Sequence, residues 1–446
     1  MDELWTNLEP EVINISYTGS RSIIHRVIQI HFSSISAFSK GLSTYTQPLR
    51  LRLRIFTIFF LYKHTPPAVR KGELSTIMKL VFDKADLVKS VAIAMKAVSG
   101  KTTMPILQCI LIDASSSQIK FTSNDMELGI ETLVTGMILE RGVVALDAKI
   151  FSEIVRKLPD NQVTIETDEN LVTTITCEKA KFNIPGQSGE DFSYLPILET
   201  SDCVSISQFT LKELIRQTIF SIAANENNKL MTGELFEIKD NTLRVVSLDG
   251  HRIAIRRIEL KDSYPDRKVV VPGKTLNEIS KILSGEMDDQ IDIYFSENHI
   301  MFKFDDTTVV SRLIDGEYFR IDQMLSSDYE TKVTINKKEF LSCIDRATLL
   351  VKEGDKKPII IDIQDGAMEL QINSAMGSMK EEIDIEKEGK DIMIGFNPKF
   401  LIDALRVIDD EEISIYLVNP KAPCFIRNEE ESYIYLILPV NFNSVR

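Results

Sequence analysis

The feature that most constrains this chain is its threefold self-similarity. Segments starting at Leu80, Val204 and Val333 each read as a short alternating strand, a turn and an amphipathic helix, and aligning Leu87, Leu214 and Phe340 sets a period of roughly 126 residues. A period of that length is the size of one domain. A second element recurs at nearly the same interval, because Lys149-Ile-Phe, Lys274-Thr-Leu and Lys399-Phe-Leu each open a helix that follows an apolar strand. Alternating apolar segments separated by turn dipeptides, Asp240-Asn241 and Asp365-Gly366, suit antiparallel sheets. The expected fold class is α+β, with three repeated domains at 78–203, 204–330 and 331–446 and the helices on one face of each sheet.

Residues 1–77 do not share this pattern. They hold nine Lys or Arg against five Asp or Glu; subtracting from 52 and 66 for the whole chain leaves 43 against 61, a net charge of −18 for 78–446. The apolar run Ile55–Tyr62, at eight residues, falls far short of the ~20 that span a bilayer, and the acidic amino end does not resemble a secretory signal. This segment is expected to be a disordered or non-native extension, from an upstream-extended reading frame or as a genuine appended arm.

The five cysteines, Cys109, Cys177, Cys203, Cys343 and Cys424, are scattered without a CxxC pair, which indicates reduced thiols in a cytosolic protein. Of the five histidines only His251 and His299 lie beyond residue 77, so neither a zinc site nor any other metal site is expected. The overall charge of −14 excludes a chain coated in nucleic acid, and any DNA contact must use a segregated basic surface. The helix pairs Lys149 and Arg156, Lys274 and Lys281, Lys399 and Arg406 supply one candidate. Each pair is seven residues apart and so shares a helix face, opposite a buried stripe such as Phe151, Ile154, Val155 and Leu158. In one helix such cations are ordinary solvated residues. Recurring in three, they point to a common surface that meets phosphates without reading bases.

Enzymatic motifs fail on inspection. Gly100-Lys101-Thr102 and Gly273-Lys274-Thr275 resemble a phosphate-binding loop, but Met95 and Lys268 stand where its first glycine belongs, and GxGxxG, GxSxG and HExxH are absent. Asp249 and His251 are close in sequence and on a strand would share a face as an acid and base pair, yet no nucleophile or metal set accompanies them, and the plainer reading of His251 is a turn residue beside a hairpin. No catalysis and no cofactor are expected.

Over residues 78–446 the sequence resembles the bacterial sliding clamp family, the beta subunits of DNA polymerase III. The most specific match is Val245-Val-Ser-Leu-Asp-Gly-His-Arg-Ile-Ala-Ile255, supported by Met104–Leu107, Phe220–Glu237, Ser311–Tyr318, Phe396–Leu405 and Tyr435–Val440. The resemblance implies a non-enzymatic, head-to-tail homodimer: six similar domains closing a ring around double-stranded DNA, helices lining the hole and sheets outside. It implies a cytoplasmic, nucleoid-associated protein with no membrane contact. Its partners would be a clamp loader, the replicative DNA polymerase catalytic subunit, and other clamp-binding repair polymerases and repair factors.

By the same resemblance Lys101 and the loop of Asn228, Lys229 and Leu230 approach DNA beside the helix pairs. Phe182 of one copy meets Leu349 and Leu350 of the next, with Lys179 and Lys181 facing Glu381 and Glu382. A peptide-binding cleft is walled by Met231, Leu248, Gly250, His251, Arg252, Ile253, Phe319, Met324, Leu438, Pro439 and Val440. The sequence departs from the family at Leu248 for threonine, Phe319 for proline, Gln323 for arginine, and in a tail from Asn441, so peptide preference does not carry over with the ring. The competing readings are a three-domain peptide-binding scaffold that does not encircle DNA, and a hydrolase acting through Asp249 and His251.

Overall fold

The computed structural model describes residues 78–100, 102–198, 203–224, 228–351 and 357–442. The extension at 1–77 and Lys101 therefore lie outside the described residues, all of which belong to the compact unit Leu74–Arg446. Six α-helices occur among them: α1 Lys84–Ala94, α2 Ala148–Lys157, α3 Gln208–Arg216, α4 Gly273–Ser280, α5 Lys337–Thr348 and α6 Pro398–Val407.

The repeats share one construction. Met78–Asp83 pairs antiparallel with Gln162–Thr167, Cys203–Ser207 with Gln290–Phe295, and Thr331–Asn336 with Glu412–Leu417. Two helices pack together in each domain, α1 on α2, α3 on α4 and α5 on α6. Polar caps start most of them: Asp147 accepts from the Ile150 amide at 2.8 Å and Asn336 from the Glu339 amide at 3.1 Å. One apolar core per domain follows, around Phe82, Phe121 and Phe151, around Leu214, Phe236 and Phe302, and around Phe340, Ile344 and Leu405. The stripe read from sequence in α2, including Leu158 just past its end, is buried. At Asp240-Asn241 strand assignment continues from Gly233 to Leu248; Asp240 has a φ of 56° and the register shifts on both sides of it.

The domains are joined by their sheets. Thr307–Arg312 of the second pairs with Leu128–Val134 of the first, where the buried hydroxyls of Thr132 and Thr307 bond at 3.0 Å. Tyr433–Ile437 of the third pairs with Arg252–Arg256 of the second, and the Tyr435 hydroxyl donates to the Gln217 carbonyl at 3.1 Å. One 13-stranded sheet thus runs through the first two domains and a seven-stranded sheet runs from the second into the third, antiparallel at every junction.

Candidate nucleic-acid interface and peptide cleft

The six expected helix cations are all exposed. Lys149, Lys274 and Lys399 each occupy the second position of their helix. A cation there opposes the helix dipole, so its recurrence is not explained by helix stability. Lys149, Arg156 and Lys399 make no ion pair among the described residues, whereas Lys274 pairs with Asp125 across the first junction and Arg406 with Asp345 at 3.3 Å. One expectation needs adjusting: α4 ends at Ser280, so Lys281 caps the helix rather than extending it, and it pairs with Glu278 at 2.7 Å. The Lys281 and Arg406 pairs, at the surface, are worth about 0–1 kcal/mol each, whereas the Asp125 carboxylate that holds Lys274 is buried.

In the neighbouring loop Asn228 caps a short 3-10 turn, Lys229–Thr232, through the Leu230 amide at 3.1 Å. Asn228 and Lys229 are exposed, and Leu230, expected beside them, is half-buried. Its side chain packs over Gly316 and into an apolar cluster with Met231 and Phe319, because an apolar group gains more from that burial than from facing phosphates.

That cluster is the heart of the expected cleft. Leu248 and Ile253 are buried in it, Met231 and Phe319 half-buried, while Met324 and Leu438 stand exposed near its rim. Asp249-Gly250-His251 is a turn between Gly233–Leu248 and Arg252–Pro272, as the plainer reading of His251 has it, and not a strand on which the two side chains share a face. Asp249 Oδ1 accepts from the His251 and Arg252 amides at 2.9 and 3.1 Å, and Gly250 adopts the left-handed φ of 86° that the turn needs. The His251 carbonyl accepts from the Leu438 amide at 2.8 Å, and the Val440 amide donates to Gly395, which fixes the chain either side of Pro439.

Arg252, expected on the cleft wall, is only 6% exposed. Its guanidinium donates to Asp249 at 3.0 Å, to Asp403 of α6 at 2.7 Å and to the Phe220 carbonyl at 2.6 Å, and lies over the Phe400 ring at 4.5 Å. It holds the second junction from behind; Asp403, Phe220 and Phe400 were not singled out from sequence. His251 stacks on the same Phe400 ring at 6.1 Å.

The first junction repeats the turn. Ser123 Oγ donates to the Ala94 carbonyl at 2.5 Å as Ser247 Oγ does to Thr218 at 2.6 Å, and Asp125 Oδ1 accepts from the Glu127 and Leu128 amides as Asp249 does from its own. This superimposes Asn124 on Leu248 and Gly129 on Ile253, each a cross-strand pair. There, however, the groove is filled by the chain itself: Asn124 Nδ2 donates to the Ser193 carbonyl at 3.1 Å, and Leu195 occupies the space a side chain at Gly129 would need.

At the ends of the array, Lys179, Lys181 and Phe182 are exposed at one and Leu349, at 75% exposure, and Glu382 at the other; Leu350 packs against its own core. Glu381 is half-buried and bidentate to Arg346 of its own chain, which lowers its carboxyl below the usual range. Four of the five thiols are buried, and burial pushes Cys109 up to about 11 and Cys343 and Cys424 up to about 12, so they are inert at neutral pH. Burial also raises the Glu234 carboxyl well above its ordinary value. Among the described residues no cluster suits a metal ion and no helix is long and apolar enough to cross a membrane.

Fold and site together define a three-domain DNA-clamp architecture. Family models for the N-terminal, central and C-terminal domains of the DNA polymerase III beta subunit match residues 78–196, 205–319 and 322–441. The beta sliding clamp of Staphylococcus epidermidis is 34% identical over 357 residues, 78% of this chain and 94% of that protein. A crystal structure of a DNA polymerase III beta subunit from Eubacterium rectale superposes with a TM-score of 0.80 at 70% identity, and the Bacillus subtilis sliding clamp with 0.79 at 35%, each covering 82% of this chain and all of the other. The chain belongs to the DNA polymerase III beta subunit family.

Proposed function

We propose that this chain is the protomer of a sliding clamp: two copies join head to tail into a ring that encircles duplex DNA without reading its sequence and tethers the replicative polymerase to it. One observation carries the reading. The strand position that reaches the next domain, Leu128–Val134 in the first and Arg252–Arg256 in the second, corresponds in the third to Gly377–Asp384, whose outer edge is unpaired among the described residues. The strand that receives it, Thr307–Arg312 in the second domain and Tyr433–Ile437 in the third, corresponds in the first to Ala180–Gln187, which leaves Lys181–Ile184 open on one side. A junction made twice within the chain therefore has both its halves free at the ends, one carrying Lys179, Lys181 and Phe182, the other Leu349 and Glu382. Joining them between copies removes both edges and brings opposite charges together.

The role is non-catalytic. Asp249 is engaged by the backbone amides and by Arg252, which leaves it no base function towards His251. DNA is met by Lys149, Arg156, Lys274, Lys281, Lys399 and Arg406 with Asn228 and Lys229, and clamp loader, polymerase and repair factors enter the cleft of Met231, Leu248, Ile253, Phe319, Met324 and Leu438, with Arg252 supporting its wall. Its Met and Leu content suits several partners, since such side chains repack.

The test is retention, after loading by a clamp loader, on nicked circular DNA against the same DNA linearised. Retention on the circle and loss from free ends is expected; equal retention on both would mean surface binding and would sink the ring. Charge reversal at Lys149, Arg156 and Lys399 should reduce loading and flatten its salt dependence.

A further inference from the structure

We infer that the sheet face beside the cleft forms a cationic annex that takes an acidic stretch flanking the partner's cleft-binding peptide. This rests on the cleft reading above and adds a second contact to it. Along Gly233–Leu248 side chains alternate: Phe236, Ile238 and Val245 enter the helix-side core, whereas Leu235 and Val246 enter the cleft cluster. Glu237 and Arg244 have the parity of the cleft side, and there a concavity of about 800 Å³ is lined by the cations Lys239, Arg244, Arg257, Arg267 and Lys268 against Glu237, Asp266 and Asp322. Five cations against three carboxylates is a positive site in a stretch of chain that is otherwise strongly acidic.

The charges already inside it show what it stabilises. Glu237 is shared by Arg244 and Lys268, and Asp322 accepts from Arg244 at 2.6 Å. The Asp322 carboxyl, largely exposed, is nevertheless held below the usual range, first by that hydrogen bond and further by the charges of Arg244, Lys268 and Arg257. Arg257 reaches Glu431 only at 3.6 Å, and Lys239 and Arg267 are exposed with no ion pair among the described residues. These three cations are available to further carboxylates.

The annex continues from the cleft. A second concavity, of about 480 Å³, includes Phe319 and Gln323 and shares Arg244, Lys268 and Asp322 with the first. Asp322 sits on the 3-10 turn Ile321–Gln323, three residues from Phe319, so the positive site begins within about 10 Å of the cleft wall. A bound peptide a few residues longer than the cleft lays its flank over Lys239 and Arg267.

The experiment compares fluorescein-labelled synthetic peptides with an apolar Leu-Phe core, extended at either end by four Glu or by four Gln, binding to the full chain. In low salt the Glu extension at one end should tighten binding by about fivefold over Gln, and the advantage should shrink in about 0.5 M salt. The double variant Lys239→Glu, Arg267→Glu should abolish the advantage and leave the Gln peptide unaffected. Equal affinities in the parent protein, or an advantage that survives the double variant, overturn the annex while the cleft stands. Failure of every peptide to bind overturns the cleft reading and the annex together. Loss of duplex DNA affinity in the double variant, with peptide binding unchanged, would assign these cations to phosphates instead.

Discussion

The two junctions inside the chain share a backbone design and differ in what fills it. At the first, Asn124 and Gly129 face a groove occupied by the chain's own Ser193–Pro196 segment, with Leu195 seated over Gly129. At the second, Leu248 and Ile253 stand in the equivalent places, and the apolar surface they help build ends in the exposed Met324 and Leu438. The linkage differs as well. An ion pair between the exposed Lys274 and the buried carboxylate of Asp125 crosses the first, while the second is crossed by the buried Arg252, by Arg216 bonded to Asp409 at 2.8 Å, and by the Tyr435 hydroxyl. A repeat can thus keep its architecture and leave an apolar surface open at one junction by exchanging a few side chains.

The largest expected effect comes from breaking the second junction's anchor. Arg252→Ala leaves Asp249 and Asp403 without their partner and should cost about 3–5 kcal/mol in chemical denaturation, against about 1–2 kcal/mol for Lys274→Ala at the first, where the buried Asp125 carboxylate keeps its two amide donors. Similar small losses at both would remove the contrast. Next, Leu248→Asn with Ile253→Gly copies the first junction into the second and should weaken peptide binding at least tenfold, about 1.4 kcal/mol, without changing the mass seen by light scattering; undiminished binding would place the cleft elsewhere. Leu195→Ala empties the first groove and should destabilise by about 1 kcal/mol while opening a weak second peptide site, detectable as a change in binding stoichiometry.

The smallest effect concerns pH. Glu234 is buried beneath the second junction, and its raised folded value means that the folded state holds the proton where the unfolded chain has released it. Its contribution is fully present below the ordinary glutamate value and is lost as pH rises through the raised one. Glu234→Gln should therefore flatten the decline of Tm that sets in as pH rises above the ordinary glutamate value. A Tm profile parallel to that of the parent protein would refute it.

Much of this was legible in sequence because it is written locally. The period of the apolar residues, the Asp and Asn caps and the lysines opening α2, α4 and α6 each lie within a few residues of one another. What was not legible depends on distant partners. Nothing near Thr132 announces Thr307, because strand pairing across 175 residues is specified by no local pattern. The partners of Leu230 and Arg252 were not legible either, because both side chains settle against neighbours remote in sequence, Gly316 and Asp403. Asp125 had a usable signal: Ser123-Asn-Asp aligns with Ser247-Leu-Asp. The cleft is harder, since a buried leucine and a ligand-binding leucine look alike until the space beside them is known.

The unpaired edges at the two ends have a meaning in polymer terms. In the proposed ring each chain acts as a bifunctional monomer with two unlike ends, and such a monomer faces the choice between cyclising and growing into an open filament. The rotation between successive domains is built into sheets that cross each junction without a break, so the angle presented to the next copy is fixed before the copies meet. If that angle closes at two copies, the second joining event is intramolecular and benefits from a high effective concentration. Dilution then favours cycles over filaments, and severing one of the two intermolecular seams opens a gap while the other keeps both copies together.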